Sequence, residues 1–327
     1  MGRNDMGQPW CAPFFYPYMT KHHITLLLTL ITVTLLAACG FSPKKEKEKL
    51  RIEKAALERK DSLAWKMAVT PTLDCLPVFI AADKGIFEQL GLDVSLKEKM
   101  AQMDCEEALS RRQVESAVSD LMRTERLRRQ GVSIDYVTAT NAYWQMLGNR
   151  KGRIKDIKNL GDKMVAMARY SATDYLATLA IDSVKPENPV FRIQVNDVEV
   201  RLMMLLNNEM DAAMLTEPQA TTARNDKHPV LMDSRHKDIR LGVIAYRKDM
   251  VADSYRKGQY DKFVEAYNRA CDSINERGLA HYADIIMARC HTDKATVKAL
   301  PQLQFPHATP PRPKDIERTK NVKWRTS

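Results

Sequence analysis

Aromatic side chains make up only 7% of the 327 residues and nowhere interleave with arginine, so the net charge of +10 carries no signature of a nucleic-acid surface. Removing Arg3, Lys21 and Asp5 with a cleaved leader lowers that charge by one. Cysteine is sparse in the body of the chain: Cys75, Cys105, Cys271 and Cys290 fit no compact disulfide framework, and three pairings stay open. Cys290-His291 has no second pair at ligand spacing, which argues against zinc. No membrane-spanning run stands out: the apolar stretch from Ile24 to Ala38 falls short of the roughly twenty residues needed to cross a bilayer. What is present, 44% apolar and 28% charged residues, is globular material sufficient for one large or two medium domains.

The short apolar run follows Lys21-His22-His23 and ends in Leu36-Ala37-Ala38-Cys39. That ending resembles the lipobox of bacterial lipoproteins, in which the cysteine is acylated and becomes the mature N-terminus. Residues 1–38 read as a signal peptide, with 1–18 an upstream extension ahead of a better start at Met19. Residues 39–62, charged from Ser42 to Asp61, read as a solvated tether that lets a body stand off a membrane surface.

Beyond Leu63 the grammar is short strands alternating with helices, which predicts an α/β fold with mostly parallel, doubly covered sheets. Strands are predicted at Trp65–Val69, Leu92–Leu96, Ser116–Val118 and Tyr136–Thr140, with helices at Glu106–Gln113 and Leu121–Gln130. The pattern then repeats: Met164–Ala168 reads as a strand, Ser171–Asp174 as a turn and Tyr175–Ile181 as a helix. Asp74 aligns with Asp174, while Leu109–Val118 aligns with Leu205–Met214 so that Glu115 faces Asp211. Two copies of one design imply two lobes, and too few units for a solenoid. The chain is expected to cross out near 141–152 and return near 235–245, giving lobe 1 over 63–145, lobe 2 over 146–238, and residues 239–327 back on lobe 1. Two crossings make a hinge. The stripe Tyr260, Phe263, Val264, Tyr267, Cys271, Ile274 and the methionines 203, 204, 210 and 214 read as core, and Arg123, Arg126, Arg128 and Arg129 as a solvated helix face.

Residues Val78–Val94, with Ala81-Ala82-Asp83-Lys84-Gly85-Ile86-Phe87 and Gly91-Leu92-Asp93-Val94, resemble the opening of solute-binding proteins from ABC importers of the nitrate, sulfonate, taurine and thiamine-precursor group. Asn207–Met214 and Leu215-Thr216-Glu217-Pro218 resemble two later elements of the same group, and the likeness spans roughly 64–300. Arg112 and Asn208 stand where that group has glycine, so the first turn is expected to differ slightly. Related pyrimidine synthases carry a clustered cysteine motif that is missing from this sequence. The resemblance therefore implies a two-lobed type 2 periplasmic-binding-protein fold with no enzymatic activity and no cofactor, with an enzyme on the same fold or a surface receptor without transport as the alternatives. It further implies a small-molecule solute, an ABC permease with its ATPase as partners, a membrane link through Cys39, and a monomer.

Ligand contacts are expected at helix N-termini, where free N–H groups and a partial positive charge gather. Thr72, Ser171 and Thr173 are the candidate hydroxyl donors, with simple N-capping as the alternative. Asp74 and Asp174 either cap their helices or face the ligand, in which case they disfavour an anion. Asp120 follows a buried strand at the end where open α/β sheets bind ligands, and Glu217 holds the matching place in the second half. Tyr143 and Trp144, at the first crossing, either stack on a flat heterocycle or fill the core between the lobes.

Overall fold

The computed structural model describes residues 43–320 together with 322 and 324; the signal segment and Cys39 lie outside the described residues. The chain divides into two units after Lys60. The first unit holds most of helix α1 (Pro43–Leu63), whose side chains from Glu46 to Ala55 are exposed and which carries a Lys49–Glu53 pair at 3.9 Å. Alternating charge without an apolar stripe stabilises such a helix only through weak neighbouring pairs. Among the described residues no helix is long and apolar enough to cross a membrane.

The second unit holds two five-stranded sheets. Chain order begins with β1 (Trp65–Val69), α2 (Leu76–Asp83), α3 (Ile86–Gln89), β2 (Val94–Glu98), α4 (Gln102–Ser110), β3 (Ser116–Asp120), α5 (Leu121–Arg129) and β4 (Ile134–Ala139). It continues with β5 (Gln145–Gly148), β6 (Met164–Met167), α6 (Ala172–Val184), β7 (Phe191–Gln194), α7 (Val198–Leu206), β8 (Ala212–Leu215), α8 (Gln219–Asn225) and β9 (Val230–Asp233). The last stretch contains β10 (Gly242–Arg247), α9 (Ser254–Arg277), α10 (Ala283–Arg289), α11 (Lys294–Ala299) and α12 (Pro313–Arg318).

Strand order is β2-β1-β3-β10-β4 in one sheet and β7-β6-β8-β5-β9 in the other. The two orders are the same pattern written twice. In each, three parallel strands are followed by one antiparallel strand that has just arrived from the other sheet: β10 against β3, and β5 against β8. The chain thus passes between sheets twice, over residues 140–144 and 234–241. At the second passage Gly242 has no alternative, since a Cβ there would lie 2.3 Å from Thr140 Oγ1 and 2.6 Å from the Ala142 methyl.

The aligned carboxylates have a structural cause. Glu115 accepts the backbone N–H of Lys66 at 2.7 Å beside β1, and Asp211 accepts that of Met164 at 2.9 Å at the start of β6. Each caps the neighbouring parallel strand, satisfying a backbone donor that the ladder leaves open. Arg112 and Asn208 both adopt left-handed conformations, φ 60° and 65°, so the two turns match and the expected difference at Arg112 does not occur. The cost of placing a side chain at that φ is borne by Arg112, whose guanidinium pairs with Asp249.

In the first lobe Trp65 stacks on Phe263 with centroids 5.6 Å apart, and Phe263 on Phe87 at 5.4 Å. This fastens α9 to β1 and α3, and the apolar stripe of α9 is core as predicted, with Phe263, Tyr267, Cys271 and Ile274 buried. Each such side chain contributes about 1.5–3 kcal/mol of burial. Two expectations are corrected. Met203 is exposed, because α7 is one-sided and turns that position to water. Arg123 is not on a solvated face: it lies buried under α5, donating to Glu106 Oε2 at 2.8 Å, while Arg128 and Arg129 are exposed. The helix Leu121–Arg129 packs along Leu121, Thr124 and Leu127, and Arg123 falls on the flank between it and α4.

Candidate functional site

A cleft opens where the parallel strands of both sheets end, the position at which open α/β sheets bind ligands. One wall is the turn after β1, with Thr70 and Thr72, joined by Met100 and Gln102 beyond β2. Facing it are Ala168, Ser171 and Thr173 after β6, Asn196 and Val198 after β7, Arg201 from α7 and Thr216 after β8, with Trp144 beside them. The space enclosed is about 20 Å³, on the scale of one or two water molecules.

Four of the predicted residues meet in this cleft: Thr72, Trp144, Ser171 and Thr173. Ser171 caps α6 by accepting the Thr173 N–H at 3.1 Å, and its hydroxyl donates to the Ala168 carbonyl at 2.6 Å. Thr173 Oγ1 accepts the Ala168 N–H at 2.9 Å. Thr72 makes no cap; its hydroxyl donates to Asp74 Oδ1 at 2.7 Å and contacts Thr70 Oγ1 at 2.9 Å. Trp144 is buried, with its backbone N–H donating to Ser234 Oγ at 3.1 Å.

The remaining predicted residues are turned away from the lining. Asp74 is buried beneath its turn, receiving Thr72 on one oxygen and Thr140 on the other at 3.2 Å. Burial pushes its carboxyl above the usual range, and the two hydroxyls pull it back in part. Asp174 accepts the Tyr170 N–H at 3.0 Å and lies 3.6 Å from Arg192. Neither aspartate therefore caps its helix, and neither carboxylate lines the cleft. Asp120 caps α5 through the Arg123 N–H at 3.1 Å. Its carboxyl is raised by burial and held back by Arg123 and by the N–H groups of Ala172 and Arg123; Oδ2 has no hydrogen-bond partner. Glu217 accepts the N–H and hydroxyl of Thr221 at 3.0 and 2.6 Å, Arg224 at 2.7 Å and the hydroxyl of Tyr143. Tyr143 lies under the Arg235 guanidinium, 3.9 Å from its ring centroid, so its face is already covered.

Sequence reasoning missed Arg201. It occupies the buried face of α7 with Val198, Leu202 and Leu205, a helical i, i+3, i+4, i+7 spacing in which a lone arginine stands out. Its Nε donates to the Met214 carbonyl at 2.9 Å, and Nη1 to Val195 and Asn196 carbonyls at 2.6 and 3.1 Å. All these partners are neutral, and no ion pair joins it among the described residues. Burial and the nearby Arg123 lower its pKa to about 10 against a smaller opposing pull from the Asp197 carboxylate, and it stays charged at neutral pH. It is the one charged side chain in a lining that contains no Asp, Glu, His, Lys or Cys.

Among the contacts that join the two halves, two lie beside the cleft. The Leu73 N–H donates to the Glu217 carbonyl at 2.8 Å, and Gln219 Nε2 donates to the Pro71 carbonyl at 2.9 Å. The four body cysteines are free and buried, and among the described residues no cluster of three or more His, Cys, Asp or Glu side chains is placed to hold a metal.

Comparison with solved structures gives the same architecture at low identity. A ligand-binding component of an ABC-type import system from Staphylococcus aureus, solved with zinc bound, superposes with a TM-score of 0.66 at 13% identity, covering 78% of this chain and 89% of that one. The alkanesulfonate-binding protein SsuA from Xanthomonas axonopodis pv. citri, bound to MOPS, gives 0.66 at 12% identity over the same shares. The periplasmic nitrate-binding protein NrtA from Synechocystis gives 0.57 at 16% identity, covering 80% of this chain and 70% of that one. These likenesses establish the type 2 periplasmic-binding-protein fold. Comparison with curated protein sequences gives no match. A family profile described as NMT1/THI5 like matches residues 72–277, most of the two-sheet unit, and the chain belongs to the NMT1/THI5-like family.

Proposed function

We propose that the protein is the solute-binding component of an ABC importer, that it closes its two lobes over a small anion, and that it hands this solute to a permease and its ATPase. The carrying observation is Arg201: a buried guanidinium whose partners are all neutral, in a lining without a carboxylate. A buried charge is costly unless compensated. An anionic solute supplies that compensation at the moment of closure, so the binding energy and the discrimination against neutral or cationic solutes come from one contact. The hydroxyls of Thr70, Thr72, Ser171, Thr173 and Thr216 supply polar edges around it, and their existing hydrogen bonds hold them in fixed orientation.

The paired crossings support closure by rotation of one sheet-bearing lobe against the other, with solute binding shifting the population toward the closed form. The inter-lobe contacts beside the cleft, Leu73–Glu217 and Pro71–Gln219, belong to the closed arrangement in this reading. The lipobox-like Leu36–Cys39 segment supports acylation at Cys39 and a position at the cell envelope, with the charged helix α1 as spacer and the protein acting as a monomer. The cleft lining holds hydroxyls but no acid or base side chain to activate one, which favours capture of the solute over chemistry on it.

Native mass spectrometry of the protein purified from its host without the leader tests this reading. The expected result is a retained small anion in the parent protein and its loss in Arg201→Met. Retention of a neutral or cationic solute, or equal retention by both proteins, overturns the assignment.

A further inference from the structure

A second cavity, of about 550 Å³, lies at the waist rather than in the cleft, and its size is that of a site for a drug-sized molecule. Its walls come from three segments: residues 139–143 at the first crossing, 235–240 at the second, and the C-terminal tail over 304–312. The tail wall is fixed. Phe305 is buried, and its N–H and carbonyl bond reciprocally with the Asn275 amide at 2.9 and 2.8 Å. Further along, the Thr309 carbonyl accepts the Ala139 N–H at 2.7 Å, and Asn141 donates to the Gln304 carbonyl at 3.0 Å. A preformed cavity asks little ordering of its walls when a ligand enters.

The charge of the wall is unbalanced. Arg235 is taken up by Asp233 at 2.6 Å, and Arg312 by Asp238 and Asp315, each at 2.6 Å. Arg240 lines the same cavity, and its side chain joins no hydrogen bond or ion pair among the described residues; only its backbone N–H is used, toward Asp315 at 3.4 Å. Beside this open cation the wall carries an apolar strip of Ile239, Pro306 and Pro310, while the Asp238 carboxylate that also lines the cavity is taken up by Arg312 and Lys314. One uncommitted guanidinium next to a proline-bordered apolar surface suits a molecule with an anionic group on an apolar body, and not a bare inorganic ion.

We propose that the waist cavity is a second binding site, taking an organic anion whose charge meets Arg240 and whose apolar part lies against Pro306 and Pro310. An occupant there touches both crossings and the tail that braces them, so it sits where the two lobes are joined and not where the transported solute binds.

The test uses the whole mature protein and the fluorescent probe 8-anilinonaphthalene-1-sulfonate, a sulfonate on an aromatic body small enough for the cavity. Fluorescence titration is expected to show saturable one-site binding that weakens at least tenfold in Arg240→Glu. Gln304→Trp, which fills the cavity from the tail without touching a charge, is expected to weaken it at least fivefold. Arg128→Glu, the same change of charge at an exposed position of α5, is expected to leave binding within twofold. Absence of saturable binding, an equal effect of Arg240→Glu and Arg128→Glu, or full binding by Gln304→Trp each overturns the proposal. Because none of these variants alters the cleft, this outcome is separate from the fate of the Arg201 reading.

Discussion

Leu73 and Glu217 meet across the cleft through their backbones, N–H to carbonyl at 2.8 Å, and this contact is insensitive to side-chain substitution. Its neighbour is not. Gln219 donates to the Pro71 carbonyl at 2.9 Å from a buried position, while its own Oε1 has no partner. Gln219→Ala removes one bond worth about 1 kcal/mol from the closed form only. The expected result is a shift of about fivefold toward the open form, read by small-angle scattering as a larger radius of gyration without solute, with a smaller effect on melting temperature.

Arg123 divides the reading of its helix into two experiments. Arg123→Met leaves Glu106 and Asp120 buried without their shared cation, and a loss of about 3–5 kcal/mol is expected in urea unfolding. Arg129→Ala, on the exposed side of the same helix, is expected to change stability by less than about 0.5 kcal/mol. Similar small effects from both would return Arg123 to the solvated face that the sequence suggested.

Gly242 is predicted to be intolerant of even a methyl group. The backbone around Thr140 and Ala142 is the first crossing itself, so Gly242→Ala forces the two connecting segments apart. An overpacking cost of about 1–3 kcal/mol is expected, together with weaker solute binding, whereas Gly258→Ala, which meets nothing within 4 Å, should stabilise α9 by about 0.5–1 kcal/mol.

Acid should loosen the first lobe at Asp249. Arg247 and Arg112 hold its carboxyl down to about 2, below the ordinary value of 3.8. A depressed folded-state pKa contributes stability above pH 3.8 that is lost as pH falls toward 2. Because the group is largely solvated, the contribution is roughly 0.5–1 kcal/mol after screening. Asp249→Asn is expected to flatten the stability profile between pH 4 and 2 in thermal melts while leaving its shape above pH 5 unchanged.

Much of the fold was legible because its signals are local. Strand β1, the stripe on α9 and the doubled turns are set by periodicity and by chemistry a few residues apart, and the Glu115–Asp211 correspondence survives as the same strand cap in both halves. The cleft lining was legible where a turn hydroxyl or a crossing aromatic marked it, as at Thr72, Ser171, Thr173 and Trp144. Asp74 and Glu217 lie off the lining because their carboxylates bond Thr140 and Arg224, partners that sequence spacing at a turn does not reveal. Arg201 was not singled out because a lone arginine in the Val198–Leu205 stripe carries no motif, and its carbonyl partners come from other segments.

Titration calorimetry at constant ionic strength tests the central claim most directly, using small alkanesulfonates, nitrate and their neutral isosteres against the parent protein, Arg201→Lys and Arg201→Met. The account predicts that at least one anion binds the parent while its neutral isostere does not, that Arg201→Met weakens binding by about 10–100-fold, and that Arg201→Lys recovers part of it. Binding of a neutral isostere as tight as that of the anion, or unchanged anion affinity in Arg201→Met, would contradict it.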